Sequence, residues 1–198
     1  IVQSVDSGLK DGPKNSRSVC VTGADTPHGI YILDVWADRV DFPGLESAIV
    51  ACSDKWNPDE ILIEDKASGI PLIQRLKRER KDFTTPIRAI EPVGDKFTRM
   101  MAVTPQIEAG FVFLPRSASW LQDFINEITA FPNHPLKDLA DALSQLLRYL
   151  HNGNRSMADI LAGVGVGERR AVEQEEDFNP GGGRNDTSHH GRGAPDVW

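Results

Sequence analysis

The sequence predicts an α/β domain built on a mixed sheet, three antiparallel strands followed by parallel ones, flanked by helices. Three observations carry this. β-rich runs at 1–6, 18–24 and 30–37 follow one another closely, and the last two are joined by Asp25-Thr26-Pro27-His28-Gly29, a connection short enough for a hairpin. Beyond them, stretches of helical period alternate with short apolar runs, as strand–helix–strand crossovers do. A final leucine-striped segment near residue 140 carries acids along one flank.

Taken in order, 1–6 is a strand that exits through Ser7-Gly8, with Asp6 as its last residue and Gly12-Pro13-Lys14-Asn15 as a loop of turn formers. Residues 43–56 place apolar side chains at 45, 48, 49, 52 and 56, one helical face, and Asn57-Pro58 stops it. Then comes EILIEDKASG at 60–69, whose Ile61, Leu62 and Ile63 read as a strand buried on both faces and closing on Glu64 and Asp65. Pro71 suits an early helix position, and Leu72, Ile73 and Leu76 form the stripe of a helix that ends in RLKRERK at 75–81. A strand at 86–90, a helix over 96–108, a brief apolar run at 111–114 and an amphipathic helix over 117–131 follow. Pro135 opens the last helix, where Leu136, Leu139, Ala140, Leu143, Leu146, Leu147 and Leu150 recur at helical spacing. The predicted domain is 1–152. Residues 153–198, with their EQEED run, Gly181-Gly182-Gly183 and His189-His190, offer little to pack and read as a mostly disordered tail.

At 198 residues the chain has room for one domain and that tail. A formal charge of −7 argues against a protein that coats nucleic acid non-specifically, yet allows an enzyme that meets DNA at one face. The two cysteines, Cys20 and Cys52, lie far apart in apolar segments and read as core residues of a reducing compartment, without support for a disulfide framework or zinc site. No run reaches the length of a membrane span, and the opening IVQSVDSG resembles neither a signal peptide nor an initiator end, so the expectation is a piece of a larger protein.

Ionised carboxylates against a core must be paired, solvated or metal-bound. Three acidic sites end apolar elements here: Asp6, the Glu64-Asp65 pair, and Asp138 with Asp141, which share a helix flank at i and i+3. Taken singly each has a plainer reading: a turn acid at Asp6, a wet strand end at 64–65, a dipole-complementing acid at Asp138 and a solvated flank residue at Asp141. Jointly, the order of strands, helices and acids is that of the ribonuclease H-like fold. There, carboxylates from the first strand, the central strand and the last helix hold two divalent cations about 3.5–4 Å apart for phosphodiester hydrolysis. Magnesium and manganese prefer such oxygen ligands, and several acids are needed to neutralise their charge.

Three segments, VDSG at 5–8, ILIEDKASGIPLIQRL at 61–76 and KDLADALSQLLRYL at 137–150, resemble the nuclease domain of the large terminase subunit of tailed bacteriophages. The resemblance spans residues 1–151 and rests on the three motifs in combination. It implies a metal-dependent endonuclease that cuts concatemeric double-stranded viral DNA during packaging with two magnesium or manganese ions. It further implies an N-terminal packaging ATPase domain, portal and small-subunit partners, and the cytoplasm of an infected or lysogenic bacterial host. The chain itself contains no GxxxxGK[ST] loop. Carried over by residue, Asp6 is the first-strand ligand and Glu64 the second, with Asp65 as its neighbour and rival.

The third site departs from the family pattern of a histidine, two adjacent aspartates and, three residues on, an Asp-Ala pair. Here Lys137 stands in the first acid's place, Asp138 matches the second, and Asp141-Ala142 the later pair. Spacing leaves the direct ligand open. The helix dipole favours Asp138, with Asp141 reaching a second ion or orienting water. A further departure is Asn15-Ser16-Arg17, where relatives often carry an acid. Lys66 and the run containing Arg75, Lys77, Arg78, Arg80 and Lys81 are the candidate DNA contacts, with a solvated helix face as the plainer reading. Rival functions are another ribonuclease H-like nuclease, such as a resolvase or transposase core, and a non-catalytic module that docks on the portal.

Overall fold

The computed structural model describes residues 1–8, 17–65, 69–78 and 83–154. It contains β1 (Val2–Asp6), β2 (Ser18–Thr26), β3 (Gly29–Asp38), α1 (Phe42–Trp56), β4 (Glu60–Glu64) and α2 (Gly69–Arg78). These are followed by β5 (Ile87–Ile90), α3 (Lys96–Met101), α4 (Thr104–Glu108), β6 (Val112–Phe113), α5 (Leu121–Thr129) and α6 (Asp138–Asn154). The strands form one mixed sheet in the order β5-β4-β1-β2-β3-β6. The first three strands pair antiparallel, while β4, β5 and β6 join β1, β4 and β3 in parallel, as the sequence predicts. The expected tail at 153–198 lies outside the described residues, apart from the last two positions of α6.

Side-chain alternation along the strands sorts the core into two layers. Val5, Ile61 and Ile63 pack with Leu45 and Ile49 of α1 and with Leu72 and Leu76 of α2. Val2 and Leu62 face the other way, onto Leu139, Leu143, Leu146 and Leu147 of α6 and onto residues of α3 and α5. Each of those leucines is almost wholly buried, a contribution of roughly 1.5–3 kcal/mol apiece. Cys20 and Cys52 are free and buried in the α1 and α2 layer, so the core reading applies to both.

The helix expected over 117–131 is shorter, α5 spanning Leu121–Thr129, and two further helices differ from the sequence expectation for local reasons. The helix expected over 96–108 is broken into α3 and α4 at Ala102 and Val103, because Pro105 can donate no hydrogen bond back into the preceding turn. The last helix begins at Asp138 and not at Pro135. Its first turn is capped from outside by Glu127 of α5, which accepts from Leu139 N at 2.6 Å, while Lys137 O accepts the helix's own first bond, from Asp141 N at 3.1 Å.

Gly69 explains the glycine in EILIEDKASG. A Cβ there would lie 1.9 Å from the carbonyl oxygen of Glu64, so α2 can fold back on the end of β4 only if residue 69 has no side chain. Gly69→Ala is therefore expected to cost about 1–3 kcal/mol or more, read as a lower urea midpoint with unchanged slope. A midpoint equal to that of the unsubstituted protein would contradict the close approach.

Candidate metal centre

On β1, Val2 joins the α6 layer and the Ser4 hydroxyl donates to Ala142 O of α6 at 2.8 Å, so the period of two sends Asp6 toward the same face. On β4, Leu62 does the same, and Glu64 follows two residues later. Since Val5 pairs with Ile63 in the parallel ladder, the strand ends bring Asp6 and Glu64 side by side. Ser4 and Gln145 set how far α6 rides over them. Gln145 Nε2 donates to Ser4 Oγ at 3.1 Å, and the Ser144 hydroxyl donates to Asp141 O at 2.9 Å. The result is a cluster in which carboxylate oxygens of Asp6, Glu64 and Asp141 all lie within 4.8 Å of one another.

Helix α3 supplies two cations to this cluster that the sequence reading did not single out. Asp95 caps the helix by accepting from Thr98 N at 2.7 Å, which fixes Lys96 and Arg99 on its first turns. Arg99 is buried, donates through Nε to Asp141 Oδ1 at 3.0 Å and through Nη2 to the same oxygen, and donates Nη1 to Gly94 O. Lys96 Nζ lies 2.9 Å from Asp141 Oδ2 and 3.3 Å from Asp6 Oδ2, with Asp138 Oδ1 at 3.9 Å. The only sequence signal for either is a Lys-x-x-Arg spacing after a capping aspartate, which countless surface helices share.

Asp138 is placed differently from Asp141. Its Oδ2 lies 3.6 Å from Arg17 Nε, and the same guanidinium pairs with the buried Glu127 carboxylate. Asp138 is 22% exposed and Asp141 5%. The dipole argument ranked Asp138 first, but the geometry groups Asp141, one turn deeper, with Asp6 and Glu64. What decides is where the strand ends lie beneath the helix.

Burial pushes the Asp6 carboxyl up from 3.8 to about 6; Lys96 opposes the rise, while Asp141, Asp138 and Glu64 add to it. Burial also raises Asp138, against Lys96 and Arg17. For Lys96, burial pulls downward, but Asp6, Asp141 and Asp138 prevail and hold the ammonium above its ordinary value. A carboxyl raised in the folded state contributes stability that is complete below about pH 4 and lost as pH rises through about 6. Metal-free protein should thus lose up to about 3 kcal/mol from this group over that window, and Asp6→Asn should remove that part of the slope. Denaturant titrations at pH 4, 5, 6 and 7 check this; equal slopes in both proteins would contradict it. The stability that Lys96 contributes is fully present below its ordinary 10.5 and changes only above it, outside the window.

The remaining candidates lie elsewhere. Asp65 is exposed, and its backbone N donates to Ile90 O at 2.8 Å. The β4–α2–β5 crossover carries α2 back along the sheet, so Arg75, Lys77 and Arg78 come toward the end opposite Glu64. Arg75 Nε meets Glu46 Oε2 at 2.6 Å and its guanidinium covers the Phe42 ring, whereas Lys77 and Arg78 are exposed. Lys66, Arg80 and Lys81 lie outside the described residues. His134 turns inward on its own loop, with Nδ1 3.2 Å from Leu136 N.

The donor set suits a hard divalent cation: three carboxylates converge, and an ammonium already stands among them as a cation of the centre's own. The sheet order and the placement of these acids define the ribonuclease H-like fold. Within it, the chain belongs to the terminase RNaseH-like domain family, whose profile matches residues 5–150. The human cytomegalovirus terminase nuclease domain superposes with a TM-score of 0.56 at 13% identity, covering 77% of this chain and 84% of that one. The same domain soaked with manganese and bound to an inhibitor gives 0.53 at 14%, covering 75% and 82%. The fowlpox virus resolvase in complex with its substrate Holliday junction DNA gives 0.52 at 16%, covering 77% and 99%. No curated protein matches the chain. Family and fold together make this a nuclease-type domain of the ribonuclease H-like superfamily.

Proposed function

We propose that the chain is a metal-dependent endonuclease that cuts concatemeric double-stranded viral DNA during genome packaging, as the nuclease part of a tailed-phage terminase large subunit. The observation that carries this is the convergence of Asp6, Glu64 and Asp141 within 4.8 Å in a chain of the terminase RNaseH-like family. The reaction is hydrolysis of a phosphodiester bond with water as nucleophile. Two bound magnesium or manganese ions would supply Lewis acidity and neutralise charge on the phosphoryl oxygens. Asp6, Glu64 and Asp141 would hold them. Arg99 fixes the Asp141 carboxylate by gripping one oxygen, Oδ1, and leaves Oδ2 turned toward the centre. Ser4 and Gln145 hold α6 in register, and Asp138, beside Lys96 and Arg17, borders the cluster as an outer acid.

In this reading the partners are duplex DNA, an N-terminal packaging ATPase domain, the portal and the small subunit, and the setting is the cytoplasm of the bacterial host. Among the described residues no helix is long and apolar enough to cross a membrane. The likeness to a resolvase bound to Holliday junction DNA supports one rival, a junction-cutting enzyme. A plasmid and a four-way junction offered in parallel separate the two. The packaging nuclease is expected to linearise plasmid in magnesium or manganese, to stop in excess EDTA, and to work poorly in calcium, whose looser coordination positions water badly. Cleavage that persists in EDTA would overturn the metal-dependent mechanism. Cutting confined to the junction would favour the resolvase, and absence of any metal binding a docking module.

A further inference from the structure

We propose that Cys20 and Cys52 are a redox pair, which a hydroperoxide closes into a reversible disulfide that staples α1 to β2. This goes beyond the nuclease reading and stands without it, because the pair faces the α1 and α2 layer while Ser4 and Asp6 face α6. The two thiols meet where helix and sheet pack: Cys20 of β2 donates its hydrogen to the Cys52 sulfur of α1. They are the two cysteines of the chain, so no other thiol within it competes for either.

A ring of polar groups holds this contact in place. Gln3 of β1 is wholly buried, and its Nε2 donates both to Thr22 Oγ1 at 3.2 Å and to Cys52 O at 2.9 Å. Thr22 pairs with Gln3 in the ladder and bonds on to the Cys20 thiol, two residues along the same face. The path from Gln3 through Thr22, Cys20 and Cys52 thus returns to Gln3 by way of the Cys52 carbonyl, within a layer of buried apolar side chains that includes Leu45 and Ile49. Gln3 Oε1 has no partner among the described residues, which is costly for a buried amide. Its Nε2 offsets that cost by tying α1 to both strands, and so fixes one sulfur against the other.

The two sulfurs are unlike. The bond from Cys20 holds the Cys52 thiol below its ordinary value, against burial and Asp34 and with help from Lys55. The same bond, together with burial, pushes the Cys20 thiol up. Cys52 is also the more open of the two, 9% exposed against 1%. Cys52 is therefore the attacking thiolate and Cys20 the resolving thiol. The Cys52 sulfur attacks a peroxide oxygen, the O–O bond breaks, and the leaving oxygen takes up the proton that Cys52 had released, so that Cys52 becomes a sulfenic acid. The Cys20 sulfur then attacks the Cys52 sulfur, the S–O bond breaks, and hydroxide leaves as water with the Cys20 proton. Two electrons pass from the thiols to the peroxide, and an external dithiol returns them by exchange.

Hydrogen peroxide added to the full 198-residue chain tests this, with free thiols counted after denaturation and the mass of the intact chain read alongside. The treated chain is expected to lose both thiols and two hydrogen masses, to gain no oxygen, and to show no cross-linked band on a non-reducing gel. It should melt about 5 °C or more above the untreated chain, and dithiothreitol should restore both the thiols and the original melting temperature. Cys20→Ser should stop at a sulfenic acid on Cys52, trapped by dimedone. In Cys52→Ser, Cys20 should react at least about tenfold more slowly than Cys52 does in Cys20→Ser. Should either serine variant not fold, isotope-coded alkylation of the unsubstituted chain ranks the two thiols instead, with Cys52 expected first. Two titratable thiols after treatment, an oxygen-bearing sulfur as the end product in the unsubstituted chain, or a bond formed only between chains would overturn the proposal. Cys20 reacting ahead of Cys52 would overturn it as well.

Discussion

Asp141→Asn is expected to lower DNA cleavage by about a hundredfold or more, and Asp138→Asn by no more than about tenfold. The difference follows from placement. Asp141 is gathered with Asp6 and Glu64, and Arg99 holds one of its oxygens so that the other faces the cluster. Asp138 instead shares Arg17 with Glu127 and stands 3.9 Å from Lys96. Asparagine at 141 still offers Arg99 an acceptor, so the fold should persist, but the guanidinium loses its buried counter-charge. A lower melting temperature should therefore accompany the loss of activity. Parallel cleavage assays and thermal melts of the two variants check the ranking. If Asp138→Asn is the inactive one and Asp141→Asn cuts nearly normally, the ligand role moves to Asp138.

Asp6→Asn should be as inactive as Asp141→Asn, yet its effect on stability should have the opposite sign. Burial and three neighbouring acids disfavour the charged carboxylate of Asp6 in spite of Lys96, so a neutral amide removes a liability at neutral pH. Metal-free Asp6→Asn is accordingly expected to melt above the unsubstituted protein at pH 8 and to lose that advantage near pH 4, where the carboxyl is already protonated. Added manganese should raise the melting temperature of the unsubstituted protein and not of the variant, because only a site that binds the ion is stabilised by it. A variant that is less stable than the unsubstituted protein at both pH values would mean that Asp6 serves chiefly as a partner for Lys96.

Much of this arrangement was legible in the residues. Period-two and period-3.6 patterns gave the element order, and the apolar run at Ile61–Ile63 marked an interior strand covered on both faces, β4, on which Glu64 ends. Asp6 and Glu64 could be placed because each closes a strand, and strand ends have a definite location in a parallel pair. The third acid could not be settled in the same way. Its choice depends on how far α6 slides over β1, which is set by the Ser4 bond to Ala142 and by Gln145, contacts between residues some 138 to 141 positions apart.

The cations were invisible for a related reason. Lys96 and Arg99 acquire meaning only when α3 is capped by Asp95 and laid against α6, and a lysine or arginine in a helix usually signals a solvated face. The basic run at 75–81 attracted attention by its charge, yet the crossover places the Arg75, Lys77 and Arg78 part of it toward the far end of the sheet.

The most direct test of the central claim is a manganese-soaked crystal, with anomalous scattering used to locate the ions. The arrangement described here predicts an anomalous peak bounded by carboxylate oxygens of Asp6, Glu64 and Asp141, with the Asp138 carboxylate outside the shortest contacts. Peaks confined to other acids, or no peak between the ends of β1, β4 and the first turn of α6, would contradict it.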